Sequence, residues 1–501
     1  MKKLMNIKLS LVMLIVLAVV PFACETAFDD LNKDPNNPTE ANIDLIFAHG
    51  ADNVLFKYGR FTNGSDWDMW AGLWTQAFAG NHASGVNYDQ YVLRNPDALW
   101  GIWYDGFLDL QTVVQSGTES EDWTHVGAAQ VITAVGLGSL TSFYGDLPWS
   151  EALQGAENRY PAFDTQEQVY QAIDDLLSEA VTNLQRTPAG GGNLAASDIW
   201  MGGDAQKWLG VAYALQARYA NHMSIKDPAG SATAALSAVA NAKAAGFTEA
   251  GADLTYPYSG IGNYQNGFYD MFENNQIIAS ENFIAALDAT NDPRKIAIWN
   301  DFNFDGDFLG YIGKQNGFGT DNASYSPIGP RGYYGKPDSR QPIVTHFELL
   351  YIEAEAEMRL GNADAAATAL NAAISAHMNL ITPAAIETIT GDGGDVTAYT
   401  DQIATYLSTY AAETGATVTM EKIMTQKHTA MVCMNGESWV DVRRHDHQFP
   451  SWLEIPRDNA GAPVASGFIK RVLYPQESIN TNPSNTPTDV TIFDDLWLFS
   501  N

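Results

Sequence analysis

The chain has 501 residues, 46% of them hydrophobic, and a formal charge of -32 from 59 acidic against 27 basic side chains. That length and apolar content support a large core in one or two domains. The acidity argues against nucleic acid as a partner, because phosphate binding needs a basic footprint, and two cysteines, Cys24 and Cys433, are too few for a disulfide framework.

Lys2, Lys3 and Lys8 flank an unbroken apolar run, Leu11–Val20, which Pro21-Phe22-Ala23-Cys24 closes. The run is too short to span a bilayer and has the layout of a secretory signal. A cysteine after a small residue, directly beyond that core, resembles the lipobox of a bacterial lipoprotein. Residues 1–23 are then a signal peptide, and the Cys24 thiol carries the lipid for a mature domain of residues 24–501. Lipid supplies the membrane attachment that an acidic surface does not. Glu25–Asp30 begins an acidic tether similar to the export signal of surface lipoproteins, and no later segment reads as long and apolar enough to cross a membrane.

Asn32–Pro38 is turn-forming. A first helix is expected over Ile43–Tyr58, and a second over Asp66–Phe78, where Trp67, Trp70 and Trp74 recur at helical spacing. Gly80–Tyr91 mixes rings with amides and has no helical period, and Leu99–Val114 returns to helix. Val126–Leu153 reads as a hairpin whose first helix runs to Tyr144, turns at Gly145-Asp146-Leu147-Pro148 and continues from Ser150. Pro161–Gln185 and Asp204–Met223 pair across the Ala189–Ser197 loop, and Ala232–Ala245 is a short helix. From about residue 253 to 335 the helical period is lost in favour of Gly, Asn, Asp and aromatics, and irregular segments of that length usually carry function.

His346–Met378 organises the rest. Leu349, Ile352, Ala356 and Leu360 mark one buried face, and Ala366, Leu370, Ala373 and Ile374 mark another. Gly361-Asn362 between them suits a left-handed helix end. So short a joint folds the two helices back as an antiparallel pair of the tetratricopeptide type, which buries its faces by stacking on similar pairs. Thr382–Gly415 adds a helix around Asp401–Glu413, Val418–Arg444 is helical with a break near Asn435-Gly436, and the tail from Phe449 wraps the outside. The expected fold class is all-α, with tetratricopeptide-like pairs as scaffold and long loops as the binding surface.

Four motifs in order carry a family resemblance. Tyr144-Gly145-Asp146-Leu147-Pro148-Trp149-Ser150-Glu151-Ala152 is similar to YGDxPxSEA, and Asp292-Pro293-Arg294 to DPR. Gly436–Arg444 resembles GExWxDxRR, and Arg471–Glu477 with Asn480 and Asn485 resembles RxxYPxxE…N…N. Behind a lipobox, and covering essentially all of the mature chain, they resemble the SusD/RagB-type surface lipoproteins. The resemblance implies a monomeric fold on four tetratricopeptide-like pairs. It also implies an outer-membrane, cell-surface location and docking on a SusC-like TonB-dependent transporter to deliver an oligosaccharide, or in some members a peptide. The motif residues themselves read as structural: Glu437, Asp441, Arg443 and Arg444 as ion pairs, and Asp146 as a cap on the turn that follows it.

Sugar binding needs flat rings for apolar C–H faces and amides or carboxylates for hydroxyls. Trp67, Asn81, His82, Tyr88 and Tyr91 offer that mixture, and Tyr325, Arg331, Tyr333 and Tyr334 form a second cluster. Asp301, Asn303, Asp305 and Asp307 space oxygens as in the opening of a calcium loop, although Ile312 stands where the twelfth-position acid belongs. A structural Ca²⁺ is thus the one metal in prospect, and no cofactor is required. His445-Asp446-His447 reads as a surface turn and Cys433 as an inert buried thiol. There is no G-x-S-x-G elbow, H-E-x-x-H helix or phosphate loop. The rival reading is a surface glycoside hydrolase with paired carboxylates in residues 253–335; Glu353 and Glu357, four apart on one helix, are another such pair.

Overall fold

A computed structural model describes residues 42–56, 67–93, 97–303, 306–320 and 324–500, with the side chains at 67, 68, 83 and 97–99 outside the description. The lipobox, the acidic tether and the 32–38 turn also lie outside it. The N-terminal helices are α1 (Ile43–Leu55), α2 (Trp67–Trp74), α3 (Ala83–Asp89), α4 (Asp97–Ser120), α5 (Trp123–Tyr144), α6 (Gln166–Leu184), α7 (Ala205–His222) and α8 (Pro228–Ala244), with strand β1 (Phe78–Gly80) between α2 and α3. The C-terminal ones follow a loop-rich insertion. Among the described residues, sheet is confined to two short antiparallel pairs.

The helices stack as one array: α1 on α4, α4 on α5, and so on through α6, α7 and α8. The array continues onto α12 (His346–Arg359) and α13 (Ala363–Gly391). Each member buries a stripe on each of two neighbours, the arrangement of stacked helix pairs. The 346–378 hairpin forms as its spacing predicts, with Gly361 at φ +82° between the two helices. Its second helix runs past Met378 to Gly391 and carries Pro383 within it. After it come α14 (Val396–Tyr410), α15 (Met420–Ala430), α16 (Asn435–Arg444) and α17 (Gln476–Thr481). The α15–α16 break falls at residues 431–434, where Cys433 is left-handed, rather than at Asn435-Gly436.

The Val126–Leu153 hairpin does not form. Helix α5 ends at Tyr144 with Gly145 at φ +87°, and 150–153 is turn rather than helix. The antiparallel partner of α5 is α6: Gly127 near its start faces Leu184, while the Thr141 carbonyl near its end accepts from Gln166 Nε2 at 2.7 Å. Thr165 opens α6 with a reciprocal capping box to Gln168. Helix α5 also corrects the expectation that no later segment could cross a membrane. It is long and apolar enough, but it lies wholly inside the protein as the central core helix. A Cβ at Gly138 would come within 2.2 Å of the Tyr219 hydroxyl, so glycine there admits that ring to the α5 backbone.

The tail does more than wrap the outside. Ile469, Val472, Tyr474, Leu496 and Leu498 are buried. Val472 N donates to the Phe143 carbonyl (3.1 Å), Tyr474 Oη to the Asp146 carbonyl (3.0 Å) and Leu498 N to Gln166 Oε1 (2.8 Å). Asn485 reaches the Tyr160 carbonyl and Asn482, rather than Asn480, the Pro161 carbonyl. Asp146 accepts from Gln166 N (2.8 Å), so it braces the start of α6 instead of capping its own turn.

Much of the charge in the core is paired. Arg218 lies between Glu348 and Glu437 and Arg294 on Asp292, while Arg444 joins Glu355 to Asp441. The DPR and GExWxDxRR residues therefore hold helices together. His428 is buried, with Nδ1 3.0 Å from Ser438 Oγ, and burial pulls its pKa down to about 4. The unfolded chain takes up this proton near pH 6.5 and the folded chain only near 4, so the stability His428 contributes above 6.5 is lost as the pH falls through that window. Between pH 7.5 and 5 the loss is about 2 kcal/mol. Urea denaturation at the two pH values should show a smaller fall in His428→Asn than in the parent.

Candidate ligand-binding face

The insertion between α8 and α12 is not wholly irregular. It contains β2 (Leu254–Tyr256), α9 (Gly267–Glu273), β3 (Ile277–Ala279), α10 (Glu281–Ala289), α11 (Arg294–Ile298) and β4 (Gln341–Val344). Strand β3 pairs antiparallel with β1, Phe78 opposite Ala279 and Gly80 opposite Ile277, and β2 pairs with β4. The β1–β3 pair carries the N-terminal loop onto the insertion. Asn81 N donates to the Gln276 carbonyl (2.9 Å) and Asn81 Nδ2 to the Asn275 carbonyl (3.3 Å).

Gly80–Tyr91 folds locally as α3, although it lacks a helical period. A Cβ at Gly80 would come within 2.2 Å of the Gly85 carbonyl oxygen, so the close turn of β1 into α3 requires glycine. Asp89 explains the rest. Buried at the end of α3, its carboxylate accepts from Gly80 N (3.0 Å), Gly317 N (2.8 Å) and Asn316 Nδ2 (2.8 Å). It thereby ties residues 80 and 316–317 together, and burial pushes its pKa up to about 6 against those donors.

The two sequence-predicted clusters meet only in part. Lys314, buried in the insertion, donates to the Gly80 carbonyl (3.0 Å), approaches Asn81 Oδ1 (3.5 Å) and lies 5.7 Å from the centre of the Tyr325 ring. Asn81 and Tyr325, 244 positions apart in sequence, thus share one cation. Around them His82, Asn274 and Asn275 are exposed and Tyr325 is half-buried, so the loops that Asn81 and Lys314 join leave a ring, two amides and an imidazole accessible.

Other predicted residues fall elsewhere. Tyr88 and Tyr91 are 5% and 7% exposed; Tyr88 packs on Trp70 with ring centres 4.4 Å apart, and its carbonyl accepts from Trp74 Nε1. They support the loop from below and present no face to solvent. Tyr334 is 1% exposed, with its hydroxyl 3.1 Å from His377 Nε2, and Tyr333 packs edge-on against it. Arg331 donates to Asp301 (2.7 Å) and pairs with Asp392, bracing the insertion against the end of α13. Trp70 and Trp74 are core, and the Trp67 side chain lies outside the described residues.

The acidic turn, where it is described, is engaged within the chain. Asp301, its first ligand position, already carries the Arg331 guanidinium, while Asn303 and Asp307 bond each other through Asp307 N→Asn303 Oδ1 (2.8 Å). Asp305 lies outside the described residues, and among those described no three His, Cys, Asp or Glu side chains converge as a metal site. The suspected carboxylate pair is likewise engaged: Glu353 binds Lys243, and Glu357 accepts from Asn362.

Sequence reasoning missed Asp89, Lys314 and Asn316. Lys314 left one signal, as one of only four cations between residues 253 and 335 (with Arg294, Lys295 and Arg331). Nothing local sets Asp89 apart from the other acids.

A SusD-like family model described as "starch-binding associating with outer membrane" matches residues 56–475. Among solved structures, the chain is similar to a SusD/RagB family protein of Bacteroides thetaiotaomicron, with 22% identity, a TM-score of 0.74, and 92% of this chain and 99% of that one covered. It is also similar to a chitin-binding protein (20% identity, TM-score 0.72, 92% and 100% covered). A third likeness is to a chitin-binding SusD homolog from Flavobacterium johnsoniae (18% identity, TM-score 0.69, 92% and 99% covered). At these identities the likeness establishes the fold. Among curated proteins no relative matches the sequence.

Proposed function

The chain belongs to the SusD-like family of starch-binding, outer-membrane-associating proteins, and from that premise we propose that it captures an oligosaccharide at the cell surface. It holds the glycan on the face formed by His82, Asn274, Asn275 and Tyr325, which the buried Asn81 braces through the Asn275 carbonyl, and passes it uncleaved to a SusC-like TonB-dependent transporter. The observation that carries this reading is the joining of residues 80–81 and 325 through Lys314. That junction sets an aromatic ring beside exposed amides on a rigid scaffold, the combination that stacks on a pyranose and hydrogen-bonds its hydroxyls. The two neighbours described as chitin-binding make β-linked N-acetylglucosamine oligomers the first glycans to try.

Affinity electrophoresis and calorimetry against chitin and starch oligosaccharides provide the test. Retardation without product is expected, with Tyr325→Ala weakening binding by about tenfold and His82→Ala by less. Released sugars would transfer the protein to the hydrolase reading, and retention of oligopeptides alone would make the cargo a peptide. The engagement of Glu353 and Glu357 supports capture without cleavage.

Attachment rests on Cys24 in this reading. Cys24→Ala is expected to move the protein from the outer-membrane fraction into the soluble one, scored by immunoblot of separated fractions. Full retention of the variant in the membrane would remove the lipid anchor from the account.

A further inference from the structure

The corner where α16 meets the C-terminal tail has features that neither the loop face nor the scaffold uses. Arg218, Arg294, Arg443 and Arg444 are all buried, and among the described residues the first, second and fourth each have a carboxylate within 2.7 Å. Arg443 has none within ion-pair distance among those residues. The two acids on its own helix are engaged elsewhere, Glu437 with Arg218 and His222 and Asp441 with Lys427 and Arg444. Arg443 donates from Nε to the Trp439 carbonyl (3.1 Å) and from Nη1 to the carbonyls of Ser142 (2.7 Å) and Lys470 (2.9 Å). Its guanidinium is clamped between the rings of Trp439 (3.5 Å) and Phe499 (4.3 Å). Nη2 is buried without a hydrogen-bond partner, and so is Nε of Arg444.

Both arginines line a cavity of about 390 Å³ with His447, Lys470, Phe499 and Ser500. We propose that this cavity is a binding site for a small oxoanion, a sulfate group in particular, held by the Arg443 guanidinium through Nη2 and by the Lys470 ammonium, while Arg444 stays committed to Glu355 and Asp441. A guanidinium fixed in a ring sandwich presents its remaining donors in one plane, the geometry that suits a tetrahedral or planar oxoanion. The potential has the right sign. Burial, then Arg443 and Lys470, hold the His447 pKa down to about 3, and burial draws Arg443 well below the arginine range against the opposing pull of Tyr170 and Glu437. An anion would relieve both. Two acids also face the cavity: Asp446 is exposed, and Asp495 pairs with Lys470 at 2.8 Å, so Asp495 competes with the ligand for that ammonium.

Calorimetric titration of the full chain with sodium sulfate in chloride buffer of matched ionic strength tests the site, with a sulfated monosaccharide as a second probe. One saturable event is expected for sulfate. Lys470→Ala should weaken it about tenfold, and Asp495→Asn should tighten it. These opposite signs are something a structural role for the same residues would not give. Arg443→Met should abolish binding; if that variant fails to fold, the Lys470 and Asp495 pair still decides. Binding of the sugar ester as well as the free ion would place the anion on a glycan, and binding of the free ion alone would make it inorganic. Heat that does not saturate, or unchanged affinity in both surface variants, would overturn the proposal.

Discussion

Glu355→Ala is expected to destabilise the protein by about 3–5 kcal/mol, the cost of leaving buried charge without its counter-ion. The carboxylate is fully buried on α12. It accepts from Arg444 Nη1 (2.7 Å) and Nη2 (3.0 Å) on α16 and from Asn221 Nδ2 (2.9 Å) on α7, with Lys427 Nζ of α15 at 3.8 Å. Burial alone would raise its pKa, but Arg444, His445 and Lys427 outweigh that and hold it well below the usual carboxylate range. Its contribution is therefore present above the ordinary glutamate pKa and fades only in acid. Four helices meet at one anion, so its removal strands Arg444 with Asp441 and leaves Asn221 without its acceptor. Typical domains hold about 5–15 kcal/mol in total, which makes this a large fraction. The control lies two residues away: Glu353 pairs with the partly exposed Lys243, and Glu353→Ala should cost under about 1 kcal/mol. Urea denaturation of the two variants gives the comparison, and equal losses would mean that burial does not govern these pairs.

Asp89→Ala should cost about 3 kcal/mol and remove glycan retention with it. The variant strands three donors, on Gly80, Gly317 and Asn316, in a dry interior where each unmet donor costs about 1–3 kcal/mol. Relief of the buried charge offsets part of that, since burial already pushes this carboxyl up to about 6. The consequence is local: residues 80–81 and 316–317 lose the clasp that holds Asn81 near Lys314. The expected signature is faster hydrogen exchange over residues 78–93 and 312–318 while α12 and α13 stay protected. Glycan retention that survived with those amides loosened would place the ligand elsewhere on the molecule.

These two acids also show what could be read from the sequence and what could not. The scaffold was legible because the hairpin at 346–378 repeats its apolar residues at helical spacing and breaks at a glycine in a left-handed turn, both local properties. Helix α3 was not legible, since its stability comes from a carboxylate clasp to residues more than 200 positions away and not from an apolar stripe. The 126–153 hairpin failed for a related reason. After Gly145 the chain follows hydrogen bonds to the Asp164 carboxylate and from the C-terminal tail, which no local period records. At the candidate face, ring-rich composition pointed to the loops that Lys314 joins but could not tell a ring turned inward from one turned outward. Tyr88, Tyr91 and Tyr334 went to the core, while Tyr325 stayed at the surface.

The Tyr144–Pro148 turn and the head of α6 are clamped by residues 443–498, so the segment synthesised last completes a region synthesised some 300 positions earlier. Contacts of such long range make the closing step slow. Nascent chains halted short of residue 471 should therefore remain open to proteases along α5 and α6, although every residue of those helices is already in place.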